Sequence, residues 1–558
     1  MSRFVNLYAA ESFSPEEADI LRRYFTNLDQ PVFALVNLPE VVKGALFARY
    51  SRSMSSLRRL FLDEFVDDLD ISGDVTIDAT VGLRRAEALY DRVFFDYGDD
   101  SVAQLGGVHL ACEQASNVLT KVLERGRLMA YLEQSTRYIA YDQRLGGRYR
   151  YYRDYEVLNS PLGTRYVGDI DRMFAAYARV VPVMQEFFRD NTPKTPGDSD
   201  FAYRQAVKAR ALDSARGLLP AASLSNVGIY GNGQSYEALL LRMRSMRLPE
   251  AQHYAELMLA ELRKVIPSFL KRVDLPDRGE LASNYQSDNR DAMDAAADAV
   301  FGDAVGGPVG DDSVELVDYD PDGEIKMIAA MLYPHTSLSE RTIESRVAAM
   351  SADERLAVVR AYCGDRQNRR HRPGRALERV CYRFDVLSDY GAFRDLQRHR
   401  MLTIDWQPLS TRHGYVRPAA VDAAEQDQAF DEVMARSARL YEALYAEFGD
   451  RACYAVSLAY RIRYSMQLNA RAAMHMLELR TTPQGHPAYR RVCQKMHRLI
   501  AEQAGHAAVA EMMSFVDHDD DSALGRLDAE RRAARLRSVR SHPAEAVSAH
   551  SPPSTVRE

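Results

Sequence analysis

The run Arg125-Gly-Arg127-Leu-Met-Ala-Tyr-Leu-Glu133-Gln-Ser135-Thr136-Arg137-Tyr138 gathers four charged hydrogen-bonding groups and two aliphatic hydroxyls within fourteen residues. A guanidinium presents a planar fork of donors suited to phosphate, while a nearby carboxylate and hydroxyl can read a sugar or a base edge. The chemistry on offer is capture of a phosphorylated anion. A related run returns downstream as Arg398-His399-Arg400-Met-Leu-Thr-Ile-Asp-Trp-Gln-Pro-Leu-Ser410-Thr-Arg412, so the chain reads as internally duplicated. The competing reading of either run taken alone is a solvated helix face.

Both runs resemble the motif of the flavin-dependent thymidylate synthases, in which Arg-His-Arg is followed after seven residues by Ser-x-Arg. The first copy keeps that spacing with Gly126 in the histidine's place; the second keeps Arg398-His399-Arg400 but has nine intervening residues. Further matches follow in family order. Gly98-Asp-Asp-Ser101 resembles a Gly-His-x-Ser segment with Asp99 replacing the histidine, and Arg216-Gly-Leu-Leu-Pro220 resembles Arg-x-x-Leu-Pro. Asn232 stands twelve residues after Pro220, at the family spacing to a flavin-contacting asparagine, although the residues after it are out of phase. Glu378-Arg379 stands where Glu-His is expected. The most specific match is Asn469-Ala-Arg471-Ala-Ala-Met-His475-Met-Leu-Glu-Leu-Arg480, whose spacing puts Asn469, Met476 and Arg480 on one helical face.

The resemblance implies a division of labour. Copy one keeps Glu133, Ser135, Arg137 and Arg216, whereas copy two keeps Asn469, Arg471, His475 and Arg480 and has Ser457 in place of the Leu-Pro proline. In the family each active site is built between subunits of a homotetramer. The complementary losses therefore imply one composite site per chain, with the reciprocal site weakened or lost, and two chains forming a homodimer that recreates four lobes. By resemblance the reaction is reductive methylation of dUMP to dTMP, with FAD as cofactor and methylenetetrahydrofolate and NADPH as co-substrates. Arg480 is then the catalytic cation against the pyrimidine, and Glu133, Ser135, Thr136, Arg137, Arg216 and Arg398 bind the nucleotide. Ser51, Arg125, Arg127, Arg398, His399, Arg400, Asn469, Arg471 and His475 are the flavin-binding candidates. Two other readings stay open: a pyrimidine-nucleotide and flavin-binding protein without catalysis, and a flavin-dependent C5 modifier of another pyrimidine nucleotide.

Bulk properties fit a chain of several domains. A length of 558 residues with 46% hydrophobic content supports two sizeable cores. The formal net charge of −7 gives no general attraction to a nucleic-acid polymer or an anionic membrane, so basic residues matter where they cluster. Arg148-Tyr-Arg-Tyr-Tyr-Arg153 has the look of a stacking platform for nucleic acid, but the acidic chain offers no second one. Five cysteines without a Cys-x-x-Cys pair argue against a zinc site or a disulfide framework. With no run of about 18 apolar residues and no basic-then-apolar leader, the expectation is a soluble, cytoplasmic protein.

The elements that must position these residues follow from periodicity. We expect an α+β protein of two tandem lobes, each with helices packed on a small, mainly antiparallel sheet, as in the resembled family. The divisions are an N-terminal extension over 1–29, lobe one over 30–275, a linker over 276–311, lobe two over 312–516 and a disordered tail over 517–558. Apolar recurrence from 86 to 124 (Leu89, Val93, Val102, Leu105, Val108, Leu110, Val118, Val122) predicts a long helix. Val314–Tyr319 and Val380–Val386 alternate as strands, and 325–332 reads as a helix.

Overall fold

The computed structural model describes residues 8–38, 107–302 and 312–519 continuously, with parts of 42–64 and a few positions between 524 and 531. Two four-stranded antiparallel sheets organise it. The first joins β1 (Val32–Leu35), β2 (Gly107–Ser116), β3 (Ala130–Glu133) and β4 (Leu224–Asn232) in the order β1-β2-β4-β3. The second joins β5 (Ser313–Tyr319), β6 (Cys381–Asp389), β7 (Thr403–Trp406) and β8 (Arg461–Asn469) in the matching order β5-β6-β8-β7. An identical strand order reached twice along the chain is the duplication in three dimensions, and the α+β class is as expected.

Equivalent helices leave equivalent strands. α1 (Asn117–Leu123) follows β2 and is capped by Ser116, whose Oγ accepts from the Leu119 amide at 3.0 Å. α7 (Tyr390–Leu396) follows β6 and is capped by Asp389, which accepts from the Ala392 amide at 2.9 Å. After β4 and β8 come α4 (Gly233–Arg244) and α9 (Ala470–Arg480), capped by Asn232 and Asn469 respectively. Each cap satisfies an amide that the first helical turn leaves without a partner. α5 (Pro249–Arg263) and α10 (Pro487–Glu502) complete the two sets.

A short antiparallel pairing joins the lobes. The Ala221 amide donates to Val456 O at 2.7 Å and the Leu458 amide to Leu219 O at 2.9 Å, with Pro220 opposite Ser457. Since Ser457 occupies the place of that proline in copy two, equivalent segments meet across an approximate two-fold axis. Long helices flank the seam: α2 (Gly163–Asn191) and α8 (Asp427–Phe448) are tied where Arg436 donates to Asp169 Oδ1 at 2.7 Å. The Glu250 carboxylate of α5, 1% exposed, accepts from the Ser116 amide at 2.9 Å and from Tyr454 OH of the other lobe, also at 2.9 Å. One apolar core runs through both lobes, and each fully buried Leu, Ile or Phe in it contributes roughly 1.5–3 kcal/mol.

Three expectations need correction. The part of the 86–124 pattern that lies among the described residues is not one helix: Gly107–Ser116 is a strand and only 117–123 is helical. The strand is buried on nearly all of its length, so its apolar residues run almost continuously and pass for helical spacing. The segment read as an irregular linker carries α6 (Leu281–Phe301), in which only Ser283 is buried. With no apolar stripe its periodicity is silent; the helix is held by polar contacts, Arg247 to Asp294 at 2.7 Å and Arg290 to Ser245 O at 2.6 Å. The tail lies mostly outside the described residues, yet Leu524 and Leu527 are buried and Arg531 reaches Asp198 at 2.6 Å. Ser51, Asp99 and Ser101 fall outside the described residues.

Candidate active site

Glu133 ends β3 and is 2% exposed. Its Oε1 accepts from Arg394 at 2.7 Å, and its Oε2 accepts from Arg398 and, at 3.2 Å, from Lys121. Arg394 and Arg398 come from lobe two, so three cations from two lobes meet one lobe-one carboxylate. Burial alone would raise the Glu133 carboxyl, but Lys121, Arg394 and Arg398 hold it well below the usual range. It is ionised at any working pH.

Two residues on, Ser135 Oγ accepts from the Arg137 amide at 3.2 Å, a turn that aims Arg137 across the lobe boundary. Arg137 grips Asp213 of α3 (Asp200–Ala215) through Nε at 2.7 Å and Nη2 at 2.8 Å. It also donates to Tyr489 OH of α10 at 2.9 Å and to Gln484 O at 3.0 Å. Burial opposes the Asp213 charge, and Arg137 nevertheless keeps that carboxyl below its ordinary value. Thr136 is buried beside them.

Arg480, the last residue of α9, arrives from lobe two. Its Nη1 lies 3.8 Å from Asp395 Oδ1, while Arg216 Nη1 of lobe one lies 3.3 Å from Asp395 Oδ2. Arg480 Nε donates to His399 Nε2 at 2.9 Å, and its guanidinium carbon sits 5.4 Å from the Tyr489 ring centroid. A small cavity is lined by Glu133, Ser135, Arg137, Arg216, Asp395 and Arg398. Arg216 is 3% exposed and its Nη2 has no hydrogen-bond partner among the described residues. A buried guanidinium donor without an acceptor carries a desolvation cost of about 1–3 kcal/mol, which an anion arriving in the cavity would relieve. The residues in contact, Lys121, Arg137, Arg216, Arg394, Arg398 and Arg480 against Glu124, Glu133, Asp213 and Asp395, leave the set cationic.

The flavin-binding candidates divide. His475 lies beside the Arg480 cluster: its ring stands 5.7 Å from that of His399, and its Nδ1 accepts from Arg372 at 3.3 Å. Burial first, then Arg372 and Arg369, lowers the His475 pKa, so the surrounding field is positive and the ring neutral. Arg471 adds a half-exposed guanidinium bonded to Glu378 at 3.1 Å and to Pro373 O at 3.2 Å. Asn469 spends its carbonyl oxygen as the cap of α9. Arg400 is exposed and lies within electrostatic reach of Tyr131. Arg125 and Arg127 are elsewhere, docked on β7 through Asp405 at 2.9 Å and Thr403 Oγ1 at 3.0 Å.

Lys121, Asp213, Arg394, Asp395 and Tyr489 escape sequence reasoning. For Arg394 and Asp395 a signal existed, because they precede Arg398 by four and three residues and so share its side of the chain. Tyr489 and Asp213 are single residues on separate helices. Among the described residues no group of three or more His, Cys, Asp or Glu side chains is arranged to hold a metal ion, and no helix is long and apolar enough to cross a membrane.

A UPF0159 protein of Chlamydia muridarum is 38% identical over 93% of this chain and 98% of its own length. A UPF0159 protein of Chlamydia pneumoniae is also 38% identical, over 94% and 98%, and one of Thermoplasma acidophilum is 32% identical over 88% and 98%. A crystal structure of the UMP/dUMP methylase PolB from Streptomyces cacaoi, bound with 5-Br dUMP, aligns with a TM-score of 0.30 and 18% identity, covering 39% of this chain and 97% of that one. The family described as thymidylate synthase complementing protein matches twice, over residues 49–268 and 315–506, and the chain, carrying both matches in tandem, belongs to that family.

Proposed function

We propose that this thymidylate synthase-like methyltransferase carries out reductive methylation of dUMP to dTMP, with FAD, methylenetetrahydrofolate and NADPH, at a composite site between its two lobes. The observation that carries the reading is the buried Nη2 of Arg216, without a hydrogen-bond partner among the described residues, on a side chain that lines a cationic cavity to which both lobes contribute. Arg137 and Arg216 take the phosphate and Ser135 orients it; charge-assisted bonds of this kind are the strong ones. Arg480 lies against the pyrimidine, where a fixed guanidinium favours loss of the ring N–H proton and so raises electron density at C5. No cysteine is needed as nucleophile. Cys112, Cys453 and Cys493 are buried, and burial pushes their thiols well above the ordinary range, Cys493 to about 12.

The residues beside Arg480 fit a flavin dinucleotide. Arg369, Arg372 and Arg471 offer cations for its phosphates, and the neutral His399 and His475 rings offer flat surfaces and single donors near a ring system. When bound, the flavin supplies the redox chemistry, while this chain's residues orient the nucleotide and stabilise charge. Two chains would make a four-lobed homodimer.

The test is direct. The full-length protein is reconstituted with FAD and given dUMP, methylenetetrahydrofolate and NADPH, and the product mass is read across a panel of pyrimidine nucleotides. A flavin spectrum with dTMP formation is expected; no retained flavin, or methylation of a different nucleotide, overturns the reading. A second reading, nucleotide binding without turnover, draws on Arg137, Arg216, Arg398 and Arg480 each already facing a protein carboxylate. Calorimetric dUMP binding with no complementation of a thymidine-requiring strain would favour it.

A further inference from the structure

The approximate two-fold axis gives the candidate site a mate. Counting from the matched helix starts at Asn117 and Tyr390, the positions of Gly391, Arg394, Asp395 and Arg398 fall in lobe one on Val118, Lys121, Val122 and Arg125. By strand register Glu133, opposite Val227, falls on Trp406, opposite Tyr464, and counting from the matched turns at Ser135 and Ser410, each of which accepts the amide two residues on, Gln134 falls on Leu409. Counting from Pro220 opposite Ser457, Arg216 falls on Cys453. A second cavity of about 310 Å³ lies where those positions meet, lined by Val118, Lys121, Val122, Trp406, Leu409 and Cys453.

The mate has changed chemistry without closing. Asp395 has become Val122, Glu133 has become Trp406 and Arg216 has become Cys453, while the two arginines on the wall, Arg247 and Arg290, are bonded to Asp291, Asp294 and Asp450 and to Ser245 O respectively. Arg125 turns to Asp405 and the Trp406 ring, 5.0 Å from its centroid. Gly126 holds the place of His399, and a side chain there would meet Tyr131 OH at 2.5 Å. Around the rest stand Tyr390, Tyr441 and Tyr445, with the charged residues Arg247, Arg290 and Asp450. Protein interiors leave few voids larger than a water molecule, so a cavity of this size with aromatic walls has the properties of a ligand pocket.

We infer that this second cavity binds an uncharged pyrimidine nucleoside, deoxyuridine or thymidine without its phosphate, stacked among the aromatic side chains. The position descends from the nucleotide site, and a phosphate here would meet Val118, Val122 and Cys453 and arginines already bonded to carboxylates and a carbonyl, at a high desolvation cost. That ligand class rests on the nucleotide reading of the first site. Occupancy is felt there, because the Lys121 stem lines the second cavity while its Nζ bonds Glu124 at 2.5 Å and Glu133 at 3.2 Å in the first.

Trp406 is the chain's single tryptophan, so its emission reports on this cavity. The full-length protein is titrated with deoxyuridine and, separately, with dUMP. A saturable change in Trp406 emission with deoxyuridine is expected, kept in Arg137→Ala and weakened at least about tenfold in Val122→Phe, which fills the cavity. Tyr445→Ala, at a surface wall 41% exposed, is the second variant should Val122→Phe fail to fold, with a loss of about fivefold expected. No saturable change, or one-for-one competition between deoxyuridine and dUMP, overturns the second site. A deoxyuridine response without any dUMP binding would instead overturn the proposed function and leave the second site standing.

Discussion

Arg480 donates its Nε–H to Nε2 of His399 at 2.9 Å, which requires the imidazole to be neutral with its own proton on Nδ1. Burial first, then Arg480 and His475, hold the His399 pKa well below the ordinary value. A proton on His399 would set two cations against each other and release Arg480 from its pose. We therefore expect kcat/KM to fall on the acid side as His399 takes a proton. His399→Gln keeps an acceptor but cannot titrate, so its acid limb should flatten, while His399→Ala should lose roughly tenfold in turnover at neutral pH. An unchanged acid limb in His399→Gln would assign the titration to another group.

Arg137 and Arg480 face the same aromatic ring from opposite lobes, their guanidinium carbons 5.7 and 5.4 Å from the Tyr489 centroid. Arg137→Ala and Arg480→Ala should each weaken dUMP binding or turnover by about 1.5–3 kcal/mol, the scale of a charge-assisted hydrogen bond. The double variant should be non-additive, because the two share a ligand and a neighbour. Arg412, whose guanidinium lies over the Tyr445 ring at 5.3 Å, should matter little for dUMP affinity. Equal losses at Arg137 and Arg412 in a titration calorimeter would mean that two equivalent nucleotide sites are alive.

What the sequence made legible is uneven, and the reasons are physical. Strands β5 and β6 and helix α9 are amphipathic, so alternation or helical spacing marks them directly. β2 is buried on both faces and has no such mark; Gln114, with φ 56° at a bulge, also interrupts its pattern. The site reads in the same way. Glu133, Arg137, Arg216 and Arg480 belong to runs of fixed spacing, and the structure assembles them from both lobes. Asp395 and Tyr489 acquire meaning only when α7 and α10 are folded against lobe one, a relation that no local spacing encodes. Arg125 and Arg127 share the motif of Arg398 and Arg400, but they dock on β7 through Asp405 and Thr403.

Asp395 stands between Arg216 and Arg480, and those two arginines hold its carboxyl well below the usual range against the effect of burial. An incoming nucleotide competes with it for the same guanidiniums, its phosphate for Arg216 and its pyrimidine for Arg480. Asp395→Asn should tighten inorganic phosphate and dUMP binding by about tenfold, since one opposing charge is removed while the side chain keeps its shape. If binding weakens instead, Asp395 acts chiefly by holding the arginines in place.

The buried Glu250 makes a claim about stability that is separable from catalysis. Burial pushes its carboxyl up to about 7, more than three hydrogen bonds from Ser116 and Tyr454 can offset, whereas its unfolded value is near 4.5. Between those values the folded state holds a proton that the unfolded state has released, so stability falls as pH rises from about 4.5 through 7 and is level above. At one proton over that interval the cost is about 3 kcal/mol. The histidines act in the opposite sense. His399 and His486 are held neutral by burial, so their contribution is level above the unfolded value of about 6.5 and is lost as pH falls below it. Differences between parent and variant isolate the carboxyl from that background. Glu250→Gln keeps a side chain of the same shape, with the Ser116 and Tyr454 hydroxyls free to turn, and cannot ionise. Denaturant midpoints taken from pH 5 to 8 should show the variant gaining on the parent as pH rises. A difference that stays constant across that range would mean that Glu250 does not exchange its proton on unfolding.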